Sequence, residues 1–176
     1  MIDSRRYFVQ DTLRNETPVT IRAARPDDRE RLIAAFTKLD PESIYARFFK
    51  YKDELTDADL KRATEADFEN RVVLLVTTGI GAEETVIGVG SYAAYCGPDG
   101  VPSAEVGFIV EEDYQGLGVA SRLVRHLAEI ARSKGIARFE AEMLTKNRAM
   151  MAVFARSGLS MEERNEDGVV LVTMRL

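Results

Sequence analysis

Five consecutive aliphatic residues, Val72 to Val76, form the segment that most constrains how this chain folds. A continuous apolar run of this length, followed by Gly79, is typical of a strand that is covered on both faces of a sheet. Two more strand-like segments follow at 85–95 and 104–110, with a strong turn between them at 97–100. A sheet buried in this way requires helices packed against it.

Helical patterns occur before and after these strands. The expected helices lie at about 32–39, 43–50, 117–134 and 147–157, with a short one opening at Thr56, and the other expected strands lie at 19–23, 138–144, 160–164 and 169–175. This order predicts an α/β (α+β) domain with a mixed, mostly antiparallel central sheet flanked by helices.

The length of 176 residues is sufficient for one domain with its own core. Residues 1–17 resemble an N-terminal arm or an added short element, and the regular pattern begins at Val19. We therefore expect an arm at 1–17 and a single domain at 18–176.

Composition excludes several classes of function. A single cysteine, Cys96, cannot form an internal disulfide, and with a single histidine, His126, no metal site is expected. We expect His126 to be a surface or partly buried helix residue. The net charge of −5 argues against nucleic acid as a partner. No apolar run is long enough to span a bilayer, and the N-terminus lacks a signal-peptide pattern, so we expect a cytoplasmic protein without a membrane partner.

The most informative segment for function joins the strand at 104–110 to the long helix. It reads Gln115-Gly116-Leu117-Gly118-Val119-Ala120. Glycines allow a close approach of the backbone to a ligand, and the first turn of a helix offers free N–H groups at its positive end. This combination is typical of a phosphate or diphosphate site. A Walker loop does not fit because Val119 and Ala120 replace its Lys and Ser/Thr, and a Rossmann loop does not fit because Ser121 replaces its third glycine. A plain glycine turn remains the alternative.

The segment 115–120 resembles the Gln/Arg-x-x-Gly-x-Gly/Ala signature of the GNAT superfamily of acyl-CoA N-acyltransferases. Asn147, Phe154, Gly158 and Leu159 resemble the second acyl-CoA segment of that family, and the order of elements agrees from Val19 to Leu176. More narrowly, the segments at 40–49, 104–106 and 142–150 are similar to bacterial protein-lysine acetyltransferase domains.

The resemblance implies acetyl-CoA as co-substrate, without a metal, and it implies cofactor contacts. Main-chain N–H groups of the glycine loop would hold the diphosphate, the strand backbone would pair with the pantetheine arm, and the Asn147 amide would touch the cofactor. The implied cofactor-binding residues are Phe108, Ile109, Val110, Gln115, Gly116, Leu117, Gly118, Val119, Ala120, Ser121, Asn147 and Phe154.

Acyl transfer to an amine requires a base, because a lysine-type amine with a pKa of about 10.4 is mostly protonated at neutral pH. Glu105, on the strand before the loop, is the first candidate, and the matching strand of the resembled enzymes carries a glutamate base. Glu142 on the adjacent strand is the second candidate. Many members of the superfamily have a tyrosine acid seven residues after the asparagine, but this chain has Phe154. Tyr92, Tyr95 and Tyr114 are possible substitutes, and the leaving thiolate can also take its proton from water.

The predicted function is transfer of an acetyl group from acetyl-CoA to a primary amine, with a protein lysine favoured and a small amine second. A non-catalytic acyl-CoA sensor is the alternative from another class. Arg47, in the segment expected near the acceptor, could pair with a carboxylate or extend to solvent. A homodimer remains possible.

Overall fold

Eight strands form one sheet, in the order β1-β2-β3-β4-β5-β6-β8-β7. A computed structural model describes all residues, 1–176. The strands are β1 Phe8–Thr12, β2 Pro18–Ala23, β3 Arg71–Thr78, β4 Thr85–Cys96, β5 Pro102–Val110, β6 Arg138–Leu144, β7 Ser160–Glu166 and β8 Val169–Arg175. The helices are α1 Arg29–Thr37, α2 Pro41–Phe48, α3 Asp57–Thr64, α4 Val119–Ser133 and α5 Arg148–Ala155. All neighbouring strands are antiparallel except β5 and β6, which confirms the predicted mixed sheet.

The helices cover both faces of the sheet, as two adjacent residues of β5 show. A Cβ on Gly107 would meet the Arg47 guanidinium of α2, whereas Phe108 contacts Phe154 of α5. Since successive strand residues point to opposite faces, α2 and α5 lie on opposite sides. Helix α4 shares the α5 side, because a Cβ on Gly90 would meet its Leu123.

The core lies on both sides of β3, as the aliphatic run predicts. Val72 to Val76 are at most 2% exposed. Helix α4 packs an apolar stripe of side chains onto this sheet. The fully buried residues of the stripe are Leu123, Leu127, Ile130 and Ala131. Burial of both faces of the central strands holds β5 and the residues that follow it in a fixed position.

The segment 1–17 contributes one strand, residues 8–12, to the sheet. Strand β1 pairs along β2 from Phe8↔Arg22 to Thr12↔Pro18 and forms one edge of the sheet. The segment also covers His126, which is 6% exposed and whose Nδ1 lies 2.5 Å from the Tyr7 hydroxyl. His126 is therefore buried rather than at the surface, and Tyr7, just before a strand that the sequence pattern did not reveal, contacts it. None of the helices has the length and apolarity needed to cross a membrane.

Candidate active site

Strands β5 and β6 separate partway along their length. They pair only over three residues, from Ser103↔Arg138 to Glu105↔Glu140. Beyond that point β5 continues to Val110 while paired only with β4, and β6 continues to Leu144 while paired only with β8. The side of β5 that faces β6 is thus an open strand edge inside the sheet, and such an edge can accept an extended chain as an added strand.

The gap between the two strands widens into a cleft of about 440 Å³. Its walls are the end of β5, the glycine loop with the start of α4, the start of α5 and the first turns of α2. Basic side chains at its rim are Arg14, Lys146 and Arg156, and acidic ones are Asp40 and Glu42. A cleft of this volume is suited to a ligand of cofactor size.

The glycine loop presents a row of free donors to this cleft. Gly116 and Gly118 have φ of 77° and 92°, which glycine adopts readily and other residues do not. The backbone N–H groups of residues 116–121 donate no hydrogen bond within the protein. Because α4 carries no acidic residue in its first turn, its positive end is not neutralised. The observed geometry fits the diphosphate group that the sequence pattern predicts.

Two arginines hold the loop by its carbonyl groups. Arg14 donates to the Gly116 carbonyl at 3.2 Å through Nη1 and to the Leu117 carbonyl at 3.2 Å through its backbone N–H. Arg122 donates to the Gly118 carbonyl at 3.1 Å and forms an ion pair with Asp11 at 2.8 Å. Arg14 is a site residue that the sequence analysis missed, because it lies 102 residues before Gly116 and no local pattern connects them.

Most of the implied cofactor-binding residues line the cleft. These are Phe108, Ile109, Val110, Gln115, Gly116, Gly118, Val119, Ala120, Ser121 and Asn147. Gln115 donates from Nε2 to the Val110 carbonyl at 3.1 Å, which ties the loop to the end of β5. The Asn147 Oδ1 accepts from the Met150 N–H at 3.2 Å and so caps α5.

Leu117 and Phe154, the other two implied cofactor-binding residues, are not part of the lining of the cleft. The Leu117 side chain packs against the core, so only its backbone remains available to a ligand. Phe154 is 1% exposed, with its ring centroid 6.0 Å from that of Phe108. Seven residues are about two helical turns, so Phe154 shares the helix face of Asn147 but lies deeper, under β5.

The two candidate bases lie together on the α2 face of the sheet. Glu105 and Glu142 are both exposed and line one concavity with Tyr95, Arg138 and Glu140. Glu105 stands opposite Glu140, the last pair before β5 and β6 separate. Neither glutamate lines the 440 Å³ cleft: Glu105 belongs to the last β5–β6 pair, and Glu142 lies two residues past that pair on β6.

Of the three tyrosines considered as acids, only Tyr114 lines the cleft. Tyr92 is fully buried in the core. Burial, together with a hydrogen bond to Glu140, raises the pKa of Tyr95 to about 12. Tyr92 lies inside the core and the Tyr95 hydroxyl donates to Glu140, so neither tyrosine is placed to donate a proton into the cleft.

Helix α2 lines one side of the cleft and is tied to two of its loops. Lys146 donates to Glu42 at 3.0 Å, and this exposed hydrogen bond raises the pKa of Lys146. The Asp40 N–H donates to Glu112 at 3.1 Å. These contacts connect α2 to both the loop before α5 and the loop before α4.

Comparisons with known proteins agree with this geometry. The family model described as acetyltransferase (GNAT) domain matches residues 19–160. An acetyltransferase of Pseudomonas aeruginosa is 30% identical over 158 residues, which cover 90% of this chain and 83% of that protein. Acetyltransferase Pat of Mycolicibacterium smegmatis is 32% identical over 155 residues, 86% of this chain and 44% of the longer protein.

Among solved structures, the GNAT domain of S. lividans PAT superposes with a TM-score of 0.85 at 36% identity. The match covers 96% of this chain and 97% of that domain. The resemblance drawn from the motifs at 115–120 and 147–159 is thereby confirmed at the level of family and fold.

Proposed function

The chain belongs to the GNAT acetyltransferase family, and from this premise we propose that it transfers an acetyl group from acetyl-CoA to the nitrogen of a primary amine. The observation that carries the proposal is the row of free N–H groups at residues 116–121, which lies next to the open edge of β5. The row suits a diphosphate and the edge suits an extended amide-containing arm, and coenzyme A contains both in sequence.

The residues of the site have separable roles in this reaction. The loop and β5 hold the coenzyme, so the acetyl end lies near the last β5–β6 pair at Glu105. Free amides of the β5 edge donate to the thioester oxygen as negative charge develops on it. Glu105 takes a proton from the acceptor, and the neutral nitrogen then forms a bond to the carbonyl carbon while the carbon–sulfur bond breaks. The sulfur leaves as a thiolate, the new amide nitrogen loses its remaining extra proton to water, and the thiolate takes a proton from water.

A protein lysine is the favoured acceptor. The support is the similarity of the segments at 40–49 and 142–150 to bacterial protein-lysine acetyltransferase domains, together with the fold match to S. lividans PAT. A lysine side chain is long enough to reach a base that lies on the surface of the sheet, and Glu105 is exposed. A small amine is the second candidate acceptor.

A non-catalytic acyl-CoA sensor is the competing function, and it is favoured by Phe154, which cannot donate a proton. The two functions differ in what Glu105→Gln does. We expect this variant to lose at least about 100-fold in turnover, the usual range for a general base, while its acetyl-CoA affinity stays unchanged. Turnover is read by free-thiol release with a panel of primary amines and lysine peptides, and affinity by calorimetry.

Two further variants complete the test. Glu142→Gln, on the same face, removes the second candidate base and is expected to keep most of the activity. Glu166→Gln, an exposed glutamate of β7, is the matched control for loss of one surface charge. If Glu105→Gln turns over at the wild-type rate, Glu105 is not the base. If the wild-type protein binds acetyl-CoA but acetylates no amine, the sensor function replaces the enzyme.

A further inference from the structure

A second cavity, of about 260 Å³, lies on the acceptor side of the sheet. Helices α1, α2 and α3 form its roof, and β3, β4 and β5 form its floor. Most of its lining is apolar, but arginine side chains also reach it. One of them, Arg47, lines both this cavity and the coenzyme cleft, so the two spaces adjoin at that side chain.

Arg47 is a cation without a partner. Its half-buried side chain donates no hydrogen bond and has no carboxylate within ion-pair distance, although its Cζ lies 5.4 Å from the centroid of the Phe48 ring. Burial has the largest effect on the pKa of Arg47 and lowers it. Of the charged neighbours, Glu105 acts most strongly and raises this pKa, whereas Arg62 and Arg71 lower it. A guanidinium held away from water in this way is costly unless an anion is supplied to it.

The floor of the cavity is shaped around that guanidinium. A Cβ on Gly107 would lie 2.9 Å from the Arg47 Cζ, so the glycine lets the guanidinium lie directly against β5. In register beside Gly107 is Ser91 of β4, and in the next row Ala93 stands opposite Glu105. Ser91 lines the cavity at this end, and Glu105 lies one row beyond it on the same face of the sheet.

Arg71 brings a second free cation to the same place. It begins β3 in register with Ala93, so Arg71, Ala93 and Glu105 lie in one row across three strands. The spacing of neighbouring strands places the Arg71 and Glu105 backbones roughly 10 Å apart. The Arg71 side chain makes no hydrogen bond or ion pair, whereas Arg62, the third arginine nearby, pairs with Asp59.

We propose that Arg47 and Arg71 bind a carboxylate of the acceptor, so that the preferred acceptors carry an acidic group close to the amine that is acetylated. This inference rests on the proposed function, since it places the amine at Glu105. Arginine binds carboxylates through paired N–H donors, and two free guanidinium groups beside an open floor provide such donors. The carboxylate comes either from an acidic residue near a target lysine in a protein or from a free amino acid.

Matched acceptors test the proposal. L-lysine and cadaverine differ by the carboxylate alone, and two peptides that differ only in Asp or Asn next to the lysine repeat the comparison within a protein-like acceptor. We expect a ratio of kcat/KM of about 10 or more in favour of the acidic member, the range for hydrogen bonds to a charged group. A preference within the first pair identifies a free amino acid as the source, and one within the peptide pair identifies a protein.

Variants connect that preference to the two arginines. Arg71→Gln is expected to raise KM for the acidic acceptor and to remove the preference, with little change for the neutral acceptor. Arg47→Gln is also expected to remove the preference. Arg62→Gln, whose guanidinium already has a partner, is the matched control and keeps the preference. Acetyl-CoA affinity and the thermal unfolding midpoint establish that each variant is folded, and Arg71→Gln serves alone if Arg47→Gln is unstable.

Three results would overturn the inference. The first is equal kcat/KM for both members of each pair, and the second is a preference that survives in both arginine variants. The third is an equal loss of kcat/KM for acidic and neutral acceptors in both variants, which would mean that the arginines act through Glu105. Each leaves amine acetylation standing, whereas absence of turnover with every amine means that the proposed function itself has failed.

Discussion

At the scale of single residues, the proposed diphosphate site depends on Gly116 and Gly118. Both adopt positive φ, and that conformation turns successive N–H groups of one short segment toward a shared space. At Gly118 a Cβ would also lie 2.4 Å from the Arg122 Nη1. A Cβ built on Gly116 would have no other atom within 4 Å. A substitution at Gly116 therefore tests only the backbone conformation and the access of a ligand to the loop.

Gly116→Ala and Gly135→Ala form a matched pair. Gly135 has φ of 79° and equally open surroundings, but it lies at the opposite end of α4. Each substitution is expected to lower the free energy of unfolding by about 1–2 kcal/mol, the cost of a left-handed non-glycine residue. Only Gly116→Ala is expected to weaken acetyl-CoA binding, by about tenfold or more in calorimetry, because a Cβ obstructs approach to the loop. Equal affinities in the two variants would contradict a diphosphate at this loop.

At the scale of elements, the separation of β5 from β6 is the feature that makes room for a cofactor. If β5 and β6 paired along their whole length, the hydrogen bonds between them would occupy the place of the cleft. Helix α5 begins at Arg148, after a short loop that follows β6, and the Asn147 side chain caps it. One residue therefore both starts the helix and lines the cleft.

A comparison of Asn147→Ala with Thr56→Ala separates the capping of α5 by Asn147 from the contact of Asn147 with the cleft. Thr56 caps α3 through its Oγ1, at 3.1 Å from the Asp59 N–H, and does not line the coenzyme cleft. Both variants are expected to lose about 1 kcal/mol in urea unfolding, the usual cost of a lost N-cap. Asn147→Ala should in addition raise the Kd for acetyl-CoA. If its affinity matches that of Thr56→Ala, Asn147 acts on the helix alone.

At the scale of the whole molecule, the first seventeen residues connect the sheet edge to the site. Tyr7 contacts His126, Asp11 pairs with Arg122, and Arg14 holds the loop itself. The segment lies outside the family match at 19–160, yet its contacts reach the same loop. Its contribution is to fix α4 and the glycine loop relative to the sheet.

This connection makes stability depend on pH. Burial, and secondarily Arg125, lower the pKa of His126 below its ordinary value of about 6.5. As the pH falls through that value, the unfolded chain takes up the proton before the folded chain does, so the free energy of unfolding decreases until the lower folded pKa is reached.

His126→Gln is expected to show a smaller decrease than the wild-type protein when urea unfolding is measured at pH 7.5 and at pH 5. Glutamine can accept the Tyr7 hydrogen bond but has no proton to take up in this range, so the difference isolates the histidine. Parallel decreases in the two proteins would show that His126 does not contribute.

Local patterns in the sequence determined most elements, the buried central strand and the position of the glycine loop. Hydrophobic periodicity and glycine placement act over a few neighbouring residues, so a stretch such as Val72–Val76 or 115–120 reports its own structure directly. Contacts between distant segments were decided only by the tertiary structure. These include the separation of β5 from β6, the support of Gly116 by Arg14, the burial of Phe154 and His126, and the position of the Arg47 guanidinium above Gly107. The physical reason is that each depends on which residues become neighbours after the chain has closed on itself, and no single segment carries that information.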